Sequence, residues 1–206
     1  MAERIALVDY GAGNLRSVEN ALRAAGAHDI AVTADAALVR AADRIVLPGV
    51  GAFAACMGAL SALPGMVDAM EEAVRGRGRP FLGICVGMQL LAEEGEEYDA
   101  GRGLGWIGGT VRRISPADSA LKVPHMGWND VTPVTPHPLI VPGEAYFLHS
   151  YAFDVADRAD LAAITDHGGP VTAAVARDTI IGVQFHPEKS QAYGLAFLNR
   201  FLEWRP

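Results

Sequence analysis

Near the middle of this sequence lies FLGICVGMQ, residues 81–89, in which an apolar strand pattern runs into Gly83-x-Cys85-x-Gly87 and an apolar helix pattern follows. This is the nucleophile-elbow pattern with cysteine in place of serine. The glycines allow the backbone to pass closely, and the dipole of the following helix favours a thiolate at Cys85. The residues alone leave a second interpretation open, a buried structural cysteine in a glycine-rich strand end.

The segments before this stretch alternate between strand and helix patterns. Alternation of this kind predicts parallel strand pairing with helices on both faces of the sheet. Asp35 is a predicted N-cap, and Pro64 suits the first turn of a helix. Strands are predicted at 4–9, 29–33, 44–47 and 80–84, and helices at 14–25, 35–42, 52–60 and 64–77.

The segments after it are rich in strand patterns. Asp178-Thr179 predicts a hairpin turn, and residues 190–204 predict an amphipathic helix with Ser190 as its N-cap. We expect one domain over residues 1–206, with an α/β fold: an open, largely parallel sheet with antiparallel additions. The predicted strands are 108–114, 130–134, 146–151, 161–165, 172–177 and 180–185.

Composition excludes several classes of protein. The chain has 206 residues, of which 50% are hydrophobic and 20% charged, which is typical of a folded domain. A net charge of -7 argues against a nucleic-acid partner. Two cysteines make no disulfide framework, and no targeting segment is visible, so a cytoplasmic location is expected. Residues 45–67 are uncharged, but Pro48 and Pro64 argue against a membrane span.

The most promising base lies in QFHPE, residues 184–188. Pro187 forces His186 into an extended conformation, and residues two apart in an extended run face the same side. Glu188 can therefore hold the imidazole in one tautomer, which completes a predicted triad of Cys85, His186 and Glu188. A surface His-Pro turn is the alternative. Cys56, inside a helix pattern, is predicted to be a small core residue.

An oxyanion hole is expected from LPGVGAF, residues 47–53, whose glycines expose backbone N–H groups. The predicted donors are the N–H groups of Val50, Gly51 and Val86. The same loop fits a relaxed dinucleotide fingerprint, but it follows a later strand, and Asp68 falls inside a predicted helix. No cluster has metal-ligand spacing, so neither a metal nor a cofactor is expected.

GICVGMQ together with the distant HPE resembles the class I, or triad, glutamine amidotransferases across essentially the whole chain. Ile84 and Val86, beside the nucleophile, differ from the family's pattern, but these two positions have no catalytic side chain in the family. The PGVG loop distinguishes this chain from most members of the family, which have a PGG-type loop at this position. The motifs that look like the glutaminase subunits of imidazole glycerol phosphate synthase are DYGAGN (9–14), LPGVGAF (47–53), PHMGWN (124–129), FLHSY (147–151) and QFHPEKS (184–190).

The resemblance implies a flavodoxin-like fold and hydrolysis of glutamine to glutamate and ammonia by a Cys-His-Glu triad. Gln89 and Glu97 match positions that hold the glutamine head group. The backbone of Ser150 and Tyr151 looks like the wall that grips its carboxylate and amine. A separate hypothesis rests on the glycines, which make the Gly49-Val50-Gly51 peptide flexible enough to take the wrong orientation in the isolated chain. A correctly aimed N–H group is then expected only when a partner and its substrate bind.

The resemblance also implies a partner, a (β/α)8-barrel cyclase subunit that uses the ammonia to make imidazole glycerol phosphate and aminoimidazole carboxamide ribotide in histidine biosynthesis. Asn14, Trp128 and Lys189 match places where this family meets its barrel. The alternatives left open are a glutaminase subunit for anthranilate or guanylate synthesis, a cysteine peptidase or chaperone-like relative, and a non-catalytic subunit. The filled triad positions argue against the last of these.

Overall fold

A computed structural model describes residues 3–97 and 100–206 of the chain. Its strands are β1 (Arg4–Val8), β2 (Asp29–Thr33), β3 (Arg44–Gly49), β4 (Phe81–Cys85), β5 (Glu94–Gly95), β6 (Gly101–Arg102), β7 (Gly109–Arg113), β8 (His125–Pro133), β9 (Gly143–His149), β10 (Tyr151–Val155), β11 (Leu161–Asp166), β12 (Pro170–Arg177) and β13 (Ile180–Val183). Its α-helices are α1 (Leu15–Ala24), α2 (Ala36–Ala41), α3 (Phe53–Ala62), α4 (Met66–Glu71), α5 (Val86–Gln89) and α6 (Gln191–Glu203). A π-helical turn, Glu72–Gly76, continues α4, and 3-10 turns lie at Arg158–Asp160 and Pro187–Lys189.

The main sheet has two halves. Within the described ranges its order is β2-β1-β3-β4-β13-β12-β11-β8-β9, and a second sheet has the order β10-β7-β5-β6. The strands β2-β1-β3-β4-β13 pair in parallel, in the order of the flavodoxin-like folds. The remaining pairings of the main sheet are antiparallel, whereas the second sheet is mixed, since β5 pairs with β7 in parallel. The predicted fold class is confirmed. The second sheet was not predicted, because β5 and β6 have only two residues each.

Helices cover both faces of the parallel half. Every residue of β3 and β4 is buried, as expected for central strands between two helical layers. Helix α1 packs against α6, whereas α2 packs against α4 and the π-helical turn. Among the described residues no single helix is long and apolar enough to cross a membrane. The two segments Phe53–Ala62 and Met66–Gly76 pass that test only together, as a pair bent by 92°.

Several predictions need correction, and the strand predicted at 130–134 is part of the longer β8, which begins at His125. Pro64 lies before α4 and not in its first turn, since Gly65, with φ 66°, is the N-cap. The predicted strand 146–151 breaks at Ser150 into β9 and β10, which belong to different sheets. Ser190 stands at the N-cap position of α6, but its hydroxyl bonds elsewhere. Asp35 caps α2 as predicted and accepts a hydrogen bond of 2.8 Å from the Ala37 N–H.

Candidate active site

The strands β3, β4 and β13 end at one edge of the sheet. Gly49 pairs with Cys85, and Val183 pairs with Ile84, in parallel register. The carboxyl ends of neighbouring parallel strands open on the same side, where α/β proteins place their ligands. The register therefore brings the glycine loop, the cysteine elbow and the QFHPE segment together.

The elbow at Cys85 is a strained turn. Cys85 has φ 54° and ψ −112°, a combination that L-residues rarely adopt. A Cβ atom added at Gly83 would lie 2.6 Å from the Gly87 carbonyl oxygen, and one added at Gly87 would lie 1.8 Å from that of Leu47. Both flanking glycines are thus required by close backbone packing. The helix that follows, α5, is a single turn of four residues.

His186 and Glu188 meet through a turn and not through the predicted extended run. His186 is extended, with φ −98° and ψ 98°, but a 3-10 turn follows at Pro187–Lys189. This turn carries Glu188 Oε1 to 2.9 Å from His186 Nδ1. The Ser190 hydroxyl fixes the turn, because it donates to the His186 carbonyl (2.7 Å) and accepts from the Tyr146 N–H (2.9 Å).

The charge on His186 follows from its two neighbours. Burial by itself lowers the pKa of the imidazole, but hydrogen bonds to the Cys85 and Glu188 side chains, and the negative charges of both, raise it to about 10. The side chains of His186 and Glu188 are 4% and 2% exposed, so water screens this attraction weakly. At neutral pH the geometry favours an imidazolium beside the cysteine.

A pocket of about 240 Å³ opens over Cys85. The residues around it are Val50, Gly51, Cys85, Val86, Gln89, Glu97, Leu148, His149, Ser150, Tyr151, His186 and Lys189. The pocket unites the predicted nucleophile and base with the predicted oxyanion and glutamine positions. Leu148 and His149 were not among the predicted residues.

The side chains of Tyr10 and Cys56 hold the predicted oxyanion loop through hydrogen bonds to its backbone. Gly51 has φ +111°, and a Cβ atom at Gly49 would lie 2.7 Å from the Tyr10 hydroxyl oxygen. That hydroxyl donates to the Pro48 carbonyl at 2.8 Å. The Cys56 thiol, whose pKa is raised by burial, donates to the Val50 carbonyl at 3.4 Å. Cys56 is 2% exposed, as a core residue should be, and it also anchors this loop.

The predicted glutamine-binding residues are held by bonds within the chain. Glu97 Oε2 accepts from the Phe53 N–H at 2.8 Å, at the start of α3. Gln89 Nε2 lies 3.0 Å from the Tyr151 carbonyl oxygen, and the Ser150 carbonyl accepts from the Ile114 N–H at 2.9 Å. Both wall carbonyls are therefore already engaged before any ligand arrives.

A chain of hydrogen bonds that the sequence did not predict ends at the Tyr151 carbonyl and holds the wall formed by the backbone of Ser150 and Tyr151. Asn129 Nδ2 lies 2.7 Å from the Asp166 carbonyl, so it is a donor, and it is also 3.0 Å from His125 Nε2. His125 Nδ1–H must then donate to His149 Nε2 (3.1 Å), and His149 Nδ1–H donates to the Tyr151 carbonyl (2.8 Å). Both histidines fall in quoted motifs, but no local signal shows that they pair.

These two histidines stay neutral. Burial, with a smaller contribution from His167, lowers the pKa of His125 to about 4. Burial likewise lowers the pKa of His149 to about 3. In the ranges 3–97 and 100–206, no group of three His, Cys, Asp or Glu side chains is arranged to hold a metal ion.

Another residue that the sequence interpretation missed is Gln184. Its side chain is fully buried, and its Nε2 lies 3.6 Å from Cys85 Sγ. Its Oε1 lies 3.0 Å from Gln89 Nε2. The residue was part of the quoted QFHPE motif, but only the register of β13 beside β4 reveals this contact.

Two of the predicted partner residues, Trp128 and Lys189, lie near the Tyr146 ring, and Lys189 also lines the pocket. Trp128 is 47% exposed on β8 and lies 6.2 Å from the Tyr146 ring. Lys189 places its ammonium group 5.9 Å from the centre of the same ring. Met126, 62% exposed, lies two residues from Trp128 on the same strand face.

Asn14 is the third predicted partner residue. It is exposed at the start of α1, and α1 packs against the Pro187–Lys189 turn. A Cβ atom at the neighbouring Gly13 would lie 3.3 Å from the Pro48 side chain. The residue before Asn14 therefore lies beside Pro48 of the glycine loop, and the helix after it packs against the turn that carries Glu188.

Comparisons with known proteins show the family to which this chain is similar. A profile of the glutamine amidotransferase class-I family matches residues 6–203. The imidazole glycerol phosphate synthase subunit HisH of Zymomonas mobilis subsp. mobilis is 64% identical over 205 residues, which cover 98% of this chain and 96% of that protein. The protein of the same name from Ruegeria pomeroyi is 54% identical over 98% of this chain and 99% of that protein.

Solved structures share the fold. A structure described as glutamine amidotransferase has a TM-score of 0.75 at 18% identity, covering 96% of this chain and 97% of that chain. The structure of PurLQS from Thermotoga maritima has a TM-score of 0.70 at 18% identity, covering 98% of this chain and 97% of that chain.

Proposed function

Since this chain belongs to the class I glutamine amidotransferases, in the family of the HisH subunits of imidazole glycerol phosphate synthase, we propose that Cys85, His186 and Glu188 hydrolyse glutamine and that the ammonia passes to a cyclase partner. The observation that carries this proposal is the meeting of three strand ends around one pocket. Relatives more than half identical to this chain bear the HisH name, which disfavours a subunit for anthranilate or guanylate synthesis.

The chemistry begins at Cys85. Its thiolate attacks the side-chain carbonyl carbon of glutamine, and the electron pair of the C=O bond moves onto the oxygen. His186 gives its proton to the nitrogen, and ammonia leaves as the thioester forms. The imidazole then takes a proton from water, which attacks the thioester and releases glutamate. Glu188 holds the ring so that its Nε2 faces the reacting atoms, because Nδ1 is bound to the carboxylate.

The oxyanion of each tetrahedral intermediate needs N–H donors. We assign this role to the backbone N–H groups of Val50, Gly51 and Val86, which all line the pocket. Gln89, Glu97, Ser150 and Tyr151 would hold the α-amino and α-carboxyl groups of glutamine. Because both amide hydrogens of Gln89 are already used, only its Oε1 is left for the ligand, and it would accept from the ammonium group.

The partner would dock on the face that carries Asn14, Trp128 and Lys189. Exposed aromatic and apolar side chains at the centre of a patch are typical of interfaces, and Trp128 with Met126 provides them here. Ammonia in water is mostly protonated at neutral pH and is then no nucleophile, so a dry route into the partner is required. We propose a (β/α)8-barrel cyclase as that partner, in the reducing cytoplasm that an unmodified thiol nucleophile needs.

Labelling with a glutamine-like electrophile, followed by peptide mapping, tests the site. We expect modification at Cys85 and none at Cys56, and Cys85→Ala should abolish glutamine hydrolysis by the complex while the fold is kept. Cys56→Ala is the matched control and should still be labelled. Labelling at Cys56 in preference to Cys85, or turnover by Cys85→Ala, would contradict the proposal.

The interface assignment is tested by Trp128→Ala, which should weaken binding of the cyclase partner by about 2 kcal/mol, as expected for a large aromatic anchor. Leu38→Ala, at an exposed position on α2, is the control and should bind normally. Glutaminase rates with and without the partner and its nucleotide substrate test whether the 49–51 loop turns on binding. Equal rates would rule that coupling out.

A further inference from the structure

We propose that Gln184 is a further catalytic residue, whose side-chain N–H group donates to the Cys85 sulfur and stabilises the thiolate. This inference rests on the proposed function, in which Cys85 is the nucleophile. It assigns a role to a residue outside the triad, the oxyanion donors and the glutamine-binding set.

The position of Gln184 is set by the sheet. Val183 pairs with Ile84 in the β13–β4 register, so the residue after each of them, Gln184 and Cys85, leaves the sheet edge side by side. The Gln184 N–H donates to the Ala173 carbonyl at 2.8 Å, which anchors its backbone. Its side chain is fully buried, and Nε2 lies 3.6 Å from Cys85 Sγ, an ordinary length for an N–H···S hydrogen bond.

The orientation of the Gln184 amide follows from its neighbours. A backbone carbonyl can only accept, so the 3.0 Å contact between Gln89 and Tyr151 places the nitrogen of Gln89 there. The same nitrogen lies 3.0 Å from the far end of Gln184, which must therefore be the oxygen. The Gln184 nitrogen then faces the sulfur. Two consecutive contacts thus remove the usual ambiguity of an amide side chain.

A donor at this place acts on the sulfur in two steps of the reaction. Before attack, the N–H group stabilises the thiolate, because hydrogen bonds to charged groups are strong in a buried site. When the S–C bond forms, the sulfur becomes neutral and this hydrogen bond weakens. When water has attacked the thioester, the S–C bond breaks and its electron pair returns to sulfur. The same N–H group then stabilises the departing thiolate.

A purely structural role makes a different prediction. If Gln184 only supported Gln89 and the Tyr151 wall, its loss would disturb glutamine binding and leave the reactivity of the sulfur unchanged. The pH dependence of Cys85 alkylation and the division of effects between kcat and KM therefore distinguish the two roles.

The experiment compares Gln184→Met with Gln89→Met, both with Cys56→Ala so that Cys85 is the sole thiol. Alkylation by iodoacetamide is followed from pH 5 to 10, and kcat and KM for glutamine are measured in the complex with the cyclase partner. For Gln184→Met we expect alkylation at pH 7 to fall about tenfold, a pH midpoint moved upward, and kcat reduced about tenfold with KM within about threefold. For Gln89→Met we expect mainly a raised KM and a midpoint near that of the unsubstituted protein.

An alkylation profile of Gln184→Met that superimposes on that of the parent would overturn the inference. If Gln184→Met does not fold, Gln184→Leu, which is smaller and equally unable to donate, takes its place with the same expected results. A parent complex that does not hydrolyse glutamine would refute the proposed function. The alkylation profiles would still decide whether Gln184 acts on the sulfur, because they require no glutamine.

Discussion

The buried His186 and the buried pair of His125 and His149 lie on different sides of the Cys85 site and differ in charge. His186 is 3% exposed, and His125 and His149 are 4% and 6% exposed, so water reaches all three equally little. Yet the pKa of His186 is raised to about 10, whereas those of His125 and His149 are lowered to about 4 and about 3. Burial disfavours the charged ring in each case and cannot explain the difference.

The partners of each ring explain it. His186 has a carboxylate on Nδ1 and the Cys85 side chain as a further partner, and both can carry negative charge. His125 and His149 bond to an amide, to each other and to a backbone carbonyl, which are all neutral. The charged ring is suited to proton transfer. The neutral rings, with fixed tautomers, are suited to holding the Tyr151 wall in place.

Removing the carboxylate that favours the charged form of His186 should change activity strongly. Glu188→Gln should reduce kcat for glutamine by about 10²- to 10⁴-fold, because the ring loses both its orientation and its imidazolium stabilisation. NMR titration should also show a lower pKa for His186. The measurement is steady-state hydrolysis by the complex, with Glu203→Gln on α6 as the control. A variant with parental kcat would show that Glu188 does not act through His186.

Lowering the pH should reduce the free energy of unfolding by an intermediate amount. Below about pH 6.5 the unfolded chain protonates His125 and His149, whereas the folded protein resists until about pH 4 and about pH 3. Stability contributed by keeping these rings neutral is therefore complete above pH 6.5 and is lost as the pH falls. The free energy of unfolding should drop by about 2 kcal/mol for each ring between pH 7 and pH 5.

Urea unfolding at a series of pH values measures this loss. His149→Gln should flatten the slope between pH 7 and pH 5, whereas His28→Gln, at an exposed position, should leave it as in the parent. An identical slope in His149→Gln and the parent would show that the buried pair does not control acid stability.

A weaker change should follow when His125 is given a carboxylate partner like that of His186. Asn129→Asp places a carboxylate beside His125 Nε2, where an amide now lies at 3.0 Å. The pKa of His125 should rise by at least about one unit, equivalent to about 1.4 kcal/mol. NMR titration of the ring measures the change, and Asn20→Asp on α1 is the control. An unchanged pKa would show that a carboxylate at this position does not offset the burial of the ring.

Much of the site could be predicted because its signals are local. The elbow around Cys85 requires glycines at fixed spacing, and the Gly87 position shows why, since a Cβ atom there would lie 1.8 Å from a backbone oxygen. The His186-Pro187-Glu188 segment is equally local, although a 3-10 turn and not an extended run brings the two side chains together. Local geometry of this kind requires particular residues at fixed spacing, so a short sequence motif can predict it.

Contacts between strands that are distant in sequence have no such motif. Gln184 meets Cys85 only because β13 lies beside β4, and His125 meets His149 only because β8 and β9 pair in a particular register. The break at Ser150, which sends β10 into a second sheet, also has no local signal. Pairing between distant segments depends on the packing of the whole chain, and one sequence does not encode it in any short pattern.

The order of residues was sufficient to predict the alternating α/β architecture, the strained elbow at Cys85 and the candidate triad with its glycine loop. Each of these depends on backbone sterics and apolar periodicity within a few neighbouring residues. The folded chain was needed to establish which histidine is charged, which way the amides of Gln89 and Gln184 point, and which carbonyls of Ser150 and Tyr151 already accept hydrogen bonds. Those properties depend on burial and on partners from distant strands, and both exist only after the sheet has assembled.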